Sequence, residues 1–313
     1  MYSSIVKRSG CSFSSMKGSA PSFHLSGLYR KSGKTGRYAY HSVSEEERPR
    51  GRQSYNKLEA SSREEVIDME STILNQEEVE SYGERGYLLH KKPLFSAEKM
   101  RTLTDIFEEQ LAMKGSKLSD ELDTPHFRDE RLLDFLLSDE VLDLVEPIIG
   151  PNIGLWSSHF ICKDPYVGRA TPWHEDSAYW KGRLSSFDKI VTVWLAIDRS
   201  SKENGCMRVL PGTHGNGFSD YEAIDGTKNT FSTQIKNVDE SKAVYFELEP
   251  GECSLHDSRI IHGAAANRSE FRRCGYTMRY FSTEAVVYPD KNPGFKIWLA
   301  RGRNIGGSHF VNE

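Results

Sequence analysis

Leu155-Trp156-Ser157-Ser158-His159-Phe160-Ile161-Cys162, Ile190-Val191-Thr192-Val193-Trp194-Leu195-Ala196-Ile197 and Ala243-Val244-Tyr245-Phe246-Glu247-Leu248 are short apolar runs set between clusters of Gly, Pro, Asn and Asp. Runs of this length, bounded by turn residues and repeated along the chain, read as the strands of an all-β sandwich or barrel. The sequence before Pro151 has a different texture. Asn75 and Glu78 form a capping-box pair that predicts a short helix through Tyr82, followed by a strand at Gly86-Tyr87-Leu88-Leu89. Ser96 opens a longer helix whose Met100, Leu103, Phe107 and Leu111 share one face. A third helix is predicted from about Glu130 to Ile149, stopped by Gly150-Pro151. The expected domain is therefore helices first and then a β core.

Of 41 Lys and Arg, seven lie in residues 1–44, which hold no acid, so residues 45–313 carry 34 basic against 45 acidic side chains, a balance of −11. An acidic body lacks the basic face that phosphate neutralisation requires, so no nucleic-acid partner is expected. No run approaches the ~18 apolar residues of a membrane helix, so no membrane partner is expected either. Residues 1–65 are Ser-rich, basic and without apolar periodicity, which predicts a disordered tail or a transit-like segment ahead of a domain at 66–313. Gly33-Lys34-Thr35 is not a phosphate loop, because the spacing back to Gly27 is one residue too long and no strand precedes it. Five cysteines (11, 162, 206, 253 and 274), with no C-x-x-C, argue for a reducing compartment. The expected location is cytoplasmic, or mitochondrial if the N-terminal segment is a transit peptide. The chain ends Phe310-Val311-Asn312-Glu313, which is not a Ser-Lys-Leu type peroxisomal address.

Among ten histidines, one stands in a chemically pointed context: Trp173-His174-Glu175-Asp176. In extended backbone residues i and i+2 share a side, so His174 and Asp176 can serve one metal ion. Two imidazoles and one carboxylate with open positions is the donor set of non-haem Fe(II) oxygenases. A third ligand must come from downstream, where His214, His256 and His262 are candidates. His214, in Pro211-Gly212-Thr213-His214, reads as part of a turn. His256 and His262 have the same strand parity, and six extended residues span roughly 20 Å, so a continuous strand cannot bring both to one ion. His262 is favoured because Gly263 and three alanines leave room beside it. Further on, Arg273 lies in an alternating strand, where an anionic partner suits its planar fork; the other reading is a surface ion pair. Gly275 on the same side is expected to leave space for that anion.

These motifs together resemble the phytanoyl-CoA dioxygenase family of Fe(II)/2-oxoglutarate oxygenases over roughly residues 75–310. The resemblance runs through Gly86-Tyr87, Lys163, the Trp-His-x-Asp of 173–176, Val193-Trp194-Leu195-Ala196-Ile197-Asp198, and Glu203-Asn204-Gly205-Cys206 to Pro211-Gly212-Thr213-His214. It continues in His262-Gly263, Asn267-Arg268-Ser269 and an arginine eleven residues past His262. It implies a mainly β fold: a double-stranded β-helix (jelly-roll, cupin-like) core with helices 75–82, 96–114 and 130–149 on one outer face. It also implies that His174, Asp176 and His262 bind iron, that Arg273 anchors the distal carboxylate of 2-oxoglutarate, and that Trp194 lines the cosubstrate pocket. Fe(II), 2-oxoglutarate and O2 are the implied cofactor and cosubstrates, with ascorbate as a reductant, and the partner is a small-molecule substrate. The implied reaction hydroxylates an aliphatic C–H bond and releases succinate and CO2.

Glu175 is expected to point away from the metal. Phe160, Tyr166, Tyr179, Trp180 and Phe187 are candidates either for an apolar pocket or for the core. Two other readings compete: a cupin-like metal-dependent isomerase, which would need neither iron nor Arg273, and a non-catalytic binding protein, for which a broken triad is expected. Because every motif lies beyond Asn75, a chain starting near residue 65 should keep 2-oxoglutarate turnover. A shortened protein that folds, by circular dichroism, yet forms no succinate would refute that boundary.

Overall fold

The computed structural model describes residues 74–313; the segment 1–65 and its Gly33-Lys34-Thr35 lie outside them. The first described helix, α1 (Gln76–Arg85), carries the expected capping box, with the Asn75 side chain accepting from the Glu78 N–H and the Glu78 carboxylate accepting from the Asn75 N–H, both at 2.9 Å. It ends at Gly86, whose φ of +78° is the left-handed cap that glycine adopts without strain. β1 (Tyr87–His90) follows, then α2 (Ala97–Ala112), whose N-cap Ser96 accepts from the Lys99 N–H. After β2 (Leu122–Asp123), the helix expected over 130–149 is broken into a 3-10 turn (Glu130–Leu132), α3 (Leu133–Leu136) and α4 (Asp139–Ile149). The break falls at Ser138, which takes extended backbone (φ −79°, ψ 147°) while its hydroxyl donates to the Phe135 carbonyl at 2.9 Å. A serine that offers the backbone a local partner competes with helix continuation.

The remaining strands are β3 (Ile153–Lys163), β4 (Thr171–His174), β5 (Ile190–Ala196), β6 (Met207–Val209), β7 (Tyr221–Ala223), β8 (Thr233–Ile235), β9 (Val244–Tyr245), β10 (Cys253–Asp257), β11 (His262–Ala264), β12 (Arg273–Ser282) and β13 (Trp298–Arg301). A large antiparallel sheet runs β1-β10-β5-β12-β3-β13, with β2 also on β3; a smaller one runs β4-β11-β6-β9, and β7-β8 is a hairpin. Two facing antiparallel sheets of this topology make the double-stranded β-helix that the sequence led us to expect.

Side-chain alternation along the large sheet separates two environments. One face contributes Leu155, Val193, Leu195, Leu255, Tyr276, Met278 and Tyr280 to a core shared with Leu103 and Phe107 of α2 and Leu142, Leu144 and Val145 of α4. The helices thus cover that outer face, as expected. The other face turns Trp194, His256, Arg273, Thr277 and Arg279 toward the cavity between the sheets. Phe160 belongs to the helix-side core, where it stacks on Tyr276 at 4.2 Å, and not to the cavity. No helix among the described residues is long and apolar enough to cross a membrane.

One polar chain threads this core. The Tyr276 hydroxyl donates to Ser158 Oγ (2.9 Å), which lies 2.6 Å from His126 Nδ1. His126 is fully buried against Phe127 and Trp298, and burial, with Lys296 and Arg128 nearby, pushes its imidazole down to about 3. The unfolded chain takes up this proton near pH 6.5 and the folded one only near 3, so stability falls as pH drops through that window. The linkage amounts to about 5 kcal/mol at its limit. Urea unfolding at stepped pH should show the decline, and His126→Gln should flatten it; an unchanged slope would show that His126 does not carry it.

Candidate active site

β11 pairs antiparallel with β4 so that His262 lies directly opposite His174, and the two rings sit with centroids 4.0 Å apart. Gly263 permits that approach: a Cβ there would meet the Thr171 carbonyl at 3.0 Å, so its smallness serves strand contact as well as the site. The Nδ1 of His174 lies 2.8 Å from the Pro172 carbonyl and that of His262 lies 2.9 Å from the Ile260 carbonyl. A carbonyl only accepts, so each Nδ1 carries the proton and each Nε2 presents a lone pair. Asp176 opens the 3-10 turn Asp176–Trp180, and extended backbone at Glu175 keeps it on the side of His174. Its Oδ1 lies 3.6 Å from His174 Nε2 and 3.9 Å from His262 Nε2. The three ligand-type atoms lie within 4.8 Å of one another, all buried.

The second oxygen of Asp176 is occupied. Arg279 Nε donates to Oδ2 at 3.1 Å and Thr192 Oγ1 at 3.3 Å. Burial alone would raise this carboxyl, but Arg279, His174 and His262 outweigh it and hold it well below the usual carboxylate range. Burial, then the neighbouring His174, holds His262 well below the ordinary imidazole range.

The premise that separated His256 from His262 does not hold. β10 ends at Asp257, and a turn clamped by Arg259 on Asp257 and Asp188 carries the chain from the large sheet to the small one before His262. The two rings are therefore 4.9 Å apart, not on one extended strand. His256 lines the cavity beside the three converging residues without being one of them, and neither of its ring nitrogens has a partner. His214 lies elsewhere, with Nε2 against the Gly83 carbonyl at 3.1 Å.

Alternation along β12 holds as expected. Arg272 points outward to Asp198 (2.8 and 2.9 Å) and Glu108 (2.8 Å). Arg273 is buried facing the cavity, beside the Trp194 ring at 5.4 Å, with Nη2 donating to the Gly205 carbonyl and Nε left without a partner. Gly275 does not leave space for an anion directly: a Cβ there would lie 2.0 Å from Trp194 Cζ2, so the glycine seats the indole that flanks Arg273. Lys163 is buried, its ammonium donating to the Arg169 and Ala265 carbonyls, and Asn267 braces the same loops by donating to the carbonyls of Lys163, Asp164 and Phe271. Glu175 points away from the triad and accepts from the Ser219 N–H and hydroxyl.

The cavity encloses about 400 Å³. Of the five aromatic candidates only Tyr179 and Trp180 line it; Tyr166 is exposed and Phe187 packs in a side cluster. Trp156, Phe231 and Phe295, from distant parts of the chain, complete its aromatic wall. Strand parity puts Arg279 on the same face as Arg273, six residues along and too far to share its carboxylate, but parity does not show its partner, Asp176.

Two facing sheets with an imidazole pair and a carboxylate converging between them make the fold of the non-haem iron and 2-oxoglutarate oxygenases. The family model for phytanoyl-CoA dioxygenase (PhyH) matches residues 72–275, and the chain belongs to that family. It is 31% identical over 208 residues to the peroxisomal phytanoyl-CoA dioxygenase of Bos taurus, covering 57% of this chain and 61% of that protein. The match thus spans about three fifths of that relative's length. Among solved structures, the non-haem monooxygenase ThoJ superposes with a TM-score of 0.62 at 22% identity, covering 74% of this chain and 86% of that one. EvdO2 of Micromonospora carbonacea var. aurantiaca, complexed with 2-oxoglutarate, superposes with a TM-score of 0.58 at 22% identity, covering 70% and 95%. At these identities the structures share the fold.

Removing Arg279 would leave Asp176 as an unpaired buried charge. Arg279→Met should therefore destabilise the metal-free protein by about 3–5 kcal/mol in urea unfolding. Adding Asp176→Asn should recover much of that loss, and purely additive losses would show that the pair is not coupled.

Proposed function

We propose that the chain is an Fe(II)- and 2-oxoglutarate-dependent dioxygenase that hydroxylates an aliphatic C–H bond of a small molecule, with residues 66–313 as the catalytic unit. The observation that carries this reading is the convergence of two Nε2 lone pairs and one free carboxylate oxygen, each aimed by a hydrogen bond on its other side. His174, Asp176 and His262 would hold the metal. With Oδ2 engaged by Arg279 and Thr192, Asp176 offers one oxygen only, which leaves coordination positions open. Arg273 would take the distal carboxylate of 2-oxoglutarate, its unpartnered Nε and its place beside Trp194 giving a donor edge in a dry pocket. Iron with 2-oxoglutarate and O2, and ascorbate as reductant, would supply the oxidising chemistry, releasing succinate and CO2.

The protein's own work is orientation and exclusion of water. Trp194 and Gly275 keep the Arg273 guanidinium in place, and the aromatic wall of Tyr179, Trp180 and Phe231 separates the reacting carbon from solvent. A cupin-like isomerase is less well supported, because it gives no use to a buried arginine with a vacant donor. A non-catalytic binder is disfavoured by the intact triad.

The test combines iron content with succinate release. His262→Ala should lose iron and turnover, whereas His256→Ala should retain most of the iron. Arg273→Lys should weaken 2-oxoglutarate by roughly 10- to 150-fold, because a point charge cannot reproduce the guanidinium fork in a desolvated site. Arg272→Lys should change it little. Iron retained in His262→Ala, or equal effects at 272 and 273, would refute the assignment.

A further inference from the structure

Four arginines line the cavity, and three have a counter-charge or a task assigned. Arg169 is bidentate on Asp120 (3.0 and 2.6 Å), Arg279 is on Asp176, and Arg273 is the proposed anchor for 2-oxoglutarate. Arg183 has none: among the described residues no carboxylate lies within ion-pair distance of it. Asp123 lines the same cavity and its field reaches Arg183, but it is two-thirds exposed to solvent and makes no ion pair with it. Yet Arg183 is held firmly. Its Nε donates to the buried Asn292 Oδ1 at 2.7 Å, and Asn292 in turn donates to the Arg183 and Tyr288 carbonyls. Its guanidinium lies 4.8 Å from the rings of both Trp156 and Phe295, which pack on each other at 4.6 Å. Stacking and the Nε bond fix the plane of this cavity-lining guanidinium, and neither Nη has a hydrogen bond among the described residues, a preorganised fork of the kind that pairs with a carboxylate.

We propose that the substrate of this site carries one free carboxylate, bound by the Nη edge of Arg183, on an apolar body that lies along Trp156 and Trp180 toward the metal. This rests on the oxygenase reading. Trp180 joins the two ends: Arg279, the partner of Asp176, stands 5.8 Å from its ring, and Trp156 meets it edge-on at 5.9 Å. A single uncompensated cation with one free edge matches a planar monoanion. A phosphate group would bring a charge of about −1.5 to −2 with no second free arginine in the lining, and coenzyme A carries several such groups. The inferred substrate is therefore a free carboxylic acid rather than its coenzyme A thioester.

The probes are short to medium ω-phenylalkanoates, their primary amides and their coenzyme A thioesters. Binding is read from the change in intrinsic tryptophan fluorescence, to which Trp156 and Trp180 of the cavity contribute, with Ni(II) in place of iron and saturating 2-oxoglutarate so that Arg273 is occupied. The wild type should bind the best acid about ten- to a hundredfold more tightly than its amide, and more tightly than its thioester. Arg183→Gln should abolish the preference for acid over amide. Equal binding of acid and amide, binding of neither, a preference retained in Arg183→Gln, or a thioester that binds best each overturns the proposal. The same titrations without metal and 2-oxoglutarate separate the two readings. A protein that takes up neither, yet prefers the acid through Arg183, loses the oxygenase reading and with it the substrate role, and keeps only the carboxylate contact at Arg183. Uptake of both with no preference for the acid sinks this inference alone.

Discussion

The buried carboxylate of Asp176 is the constraint around which the cavity is organised. An ionised group removed from water is costly unless charge and hydrogen bonds compensate it, and here one oxygen receives both Arg279 and Thr192. Those two donors are direct cross-strand neighbours on β12 and β5. The large sheet thus presents a ready-made clamp, and the turn after β4 needs only to bring the carboxylate to it. The histidines come from the opposite sheet, so the site exists only where both sheets close on each other.

Register therefore matters more than composition. β12 places Cys274, Tyr276, Met278 and Tyr280 in the helix-side core and Arg273, Thr277 and Arg279 in the cavity, with Gly275 under the Trp194 ring. A slip of one residue would exchange the two sets, burying arginines among leucines. The apolar cost of that error, rather than any property of the site itself, pins the arginines where they are. Strand β5 obeys the same logic, with Val193 and Leu195 toward the helices and Thr192 and Trp194 toward the cavity.

The cavity is zoned by charge. At its centre two imidazoles and a carboxylate face each other; beside them Arg273 is flanked by Trp194, seated by Gly275; at the aromatic end Arg183 stands on Trp156 and Phe295. Each guanidinium has a flat aromatic neighbour, which keeps a long side chain in one rotamer and lowers the entropy lost when an anion binds. Lys163 takes no part in this zoning: its ammonium is spent on the carbonyls of two loops, so a buried cation here is structural.

Local signals in the chain were enough for the helix caps at Asn75 and Ser96, the strands β1, β3, β5 and β12, and the pairing of His174 with Asp176, because these depend on neighbours within a few residues. Parity alone put Arg272 and Arg273 on opposite faces, since a two-residue period is a property of any strand, while family resemblance chose Arg273 as the inward one. Family resemblance supplied the choice of His262. What only the tertiary structure decided is what lies across a gap in sequence. It set His256 beside His262 because the chain changes sheets between them, filled the space at Gly275 with Trp194, paired Arg279 with Asp176, and gathered Trp156, Phe231 and Phe295 into one wall. Period and capping are read along the chain, whereas these contacts depend on which strands become neighbours, and that is set by the burial of two sheet faces at once.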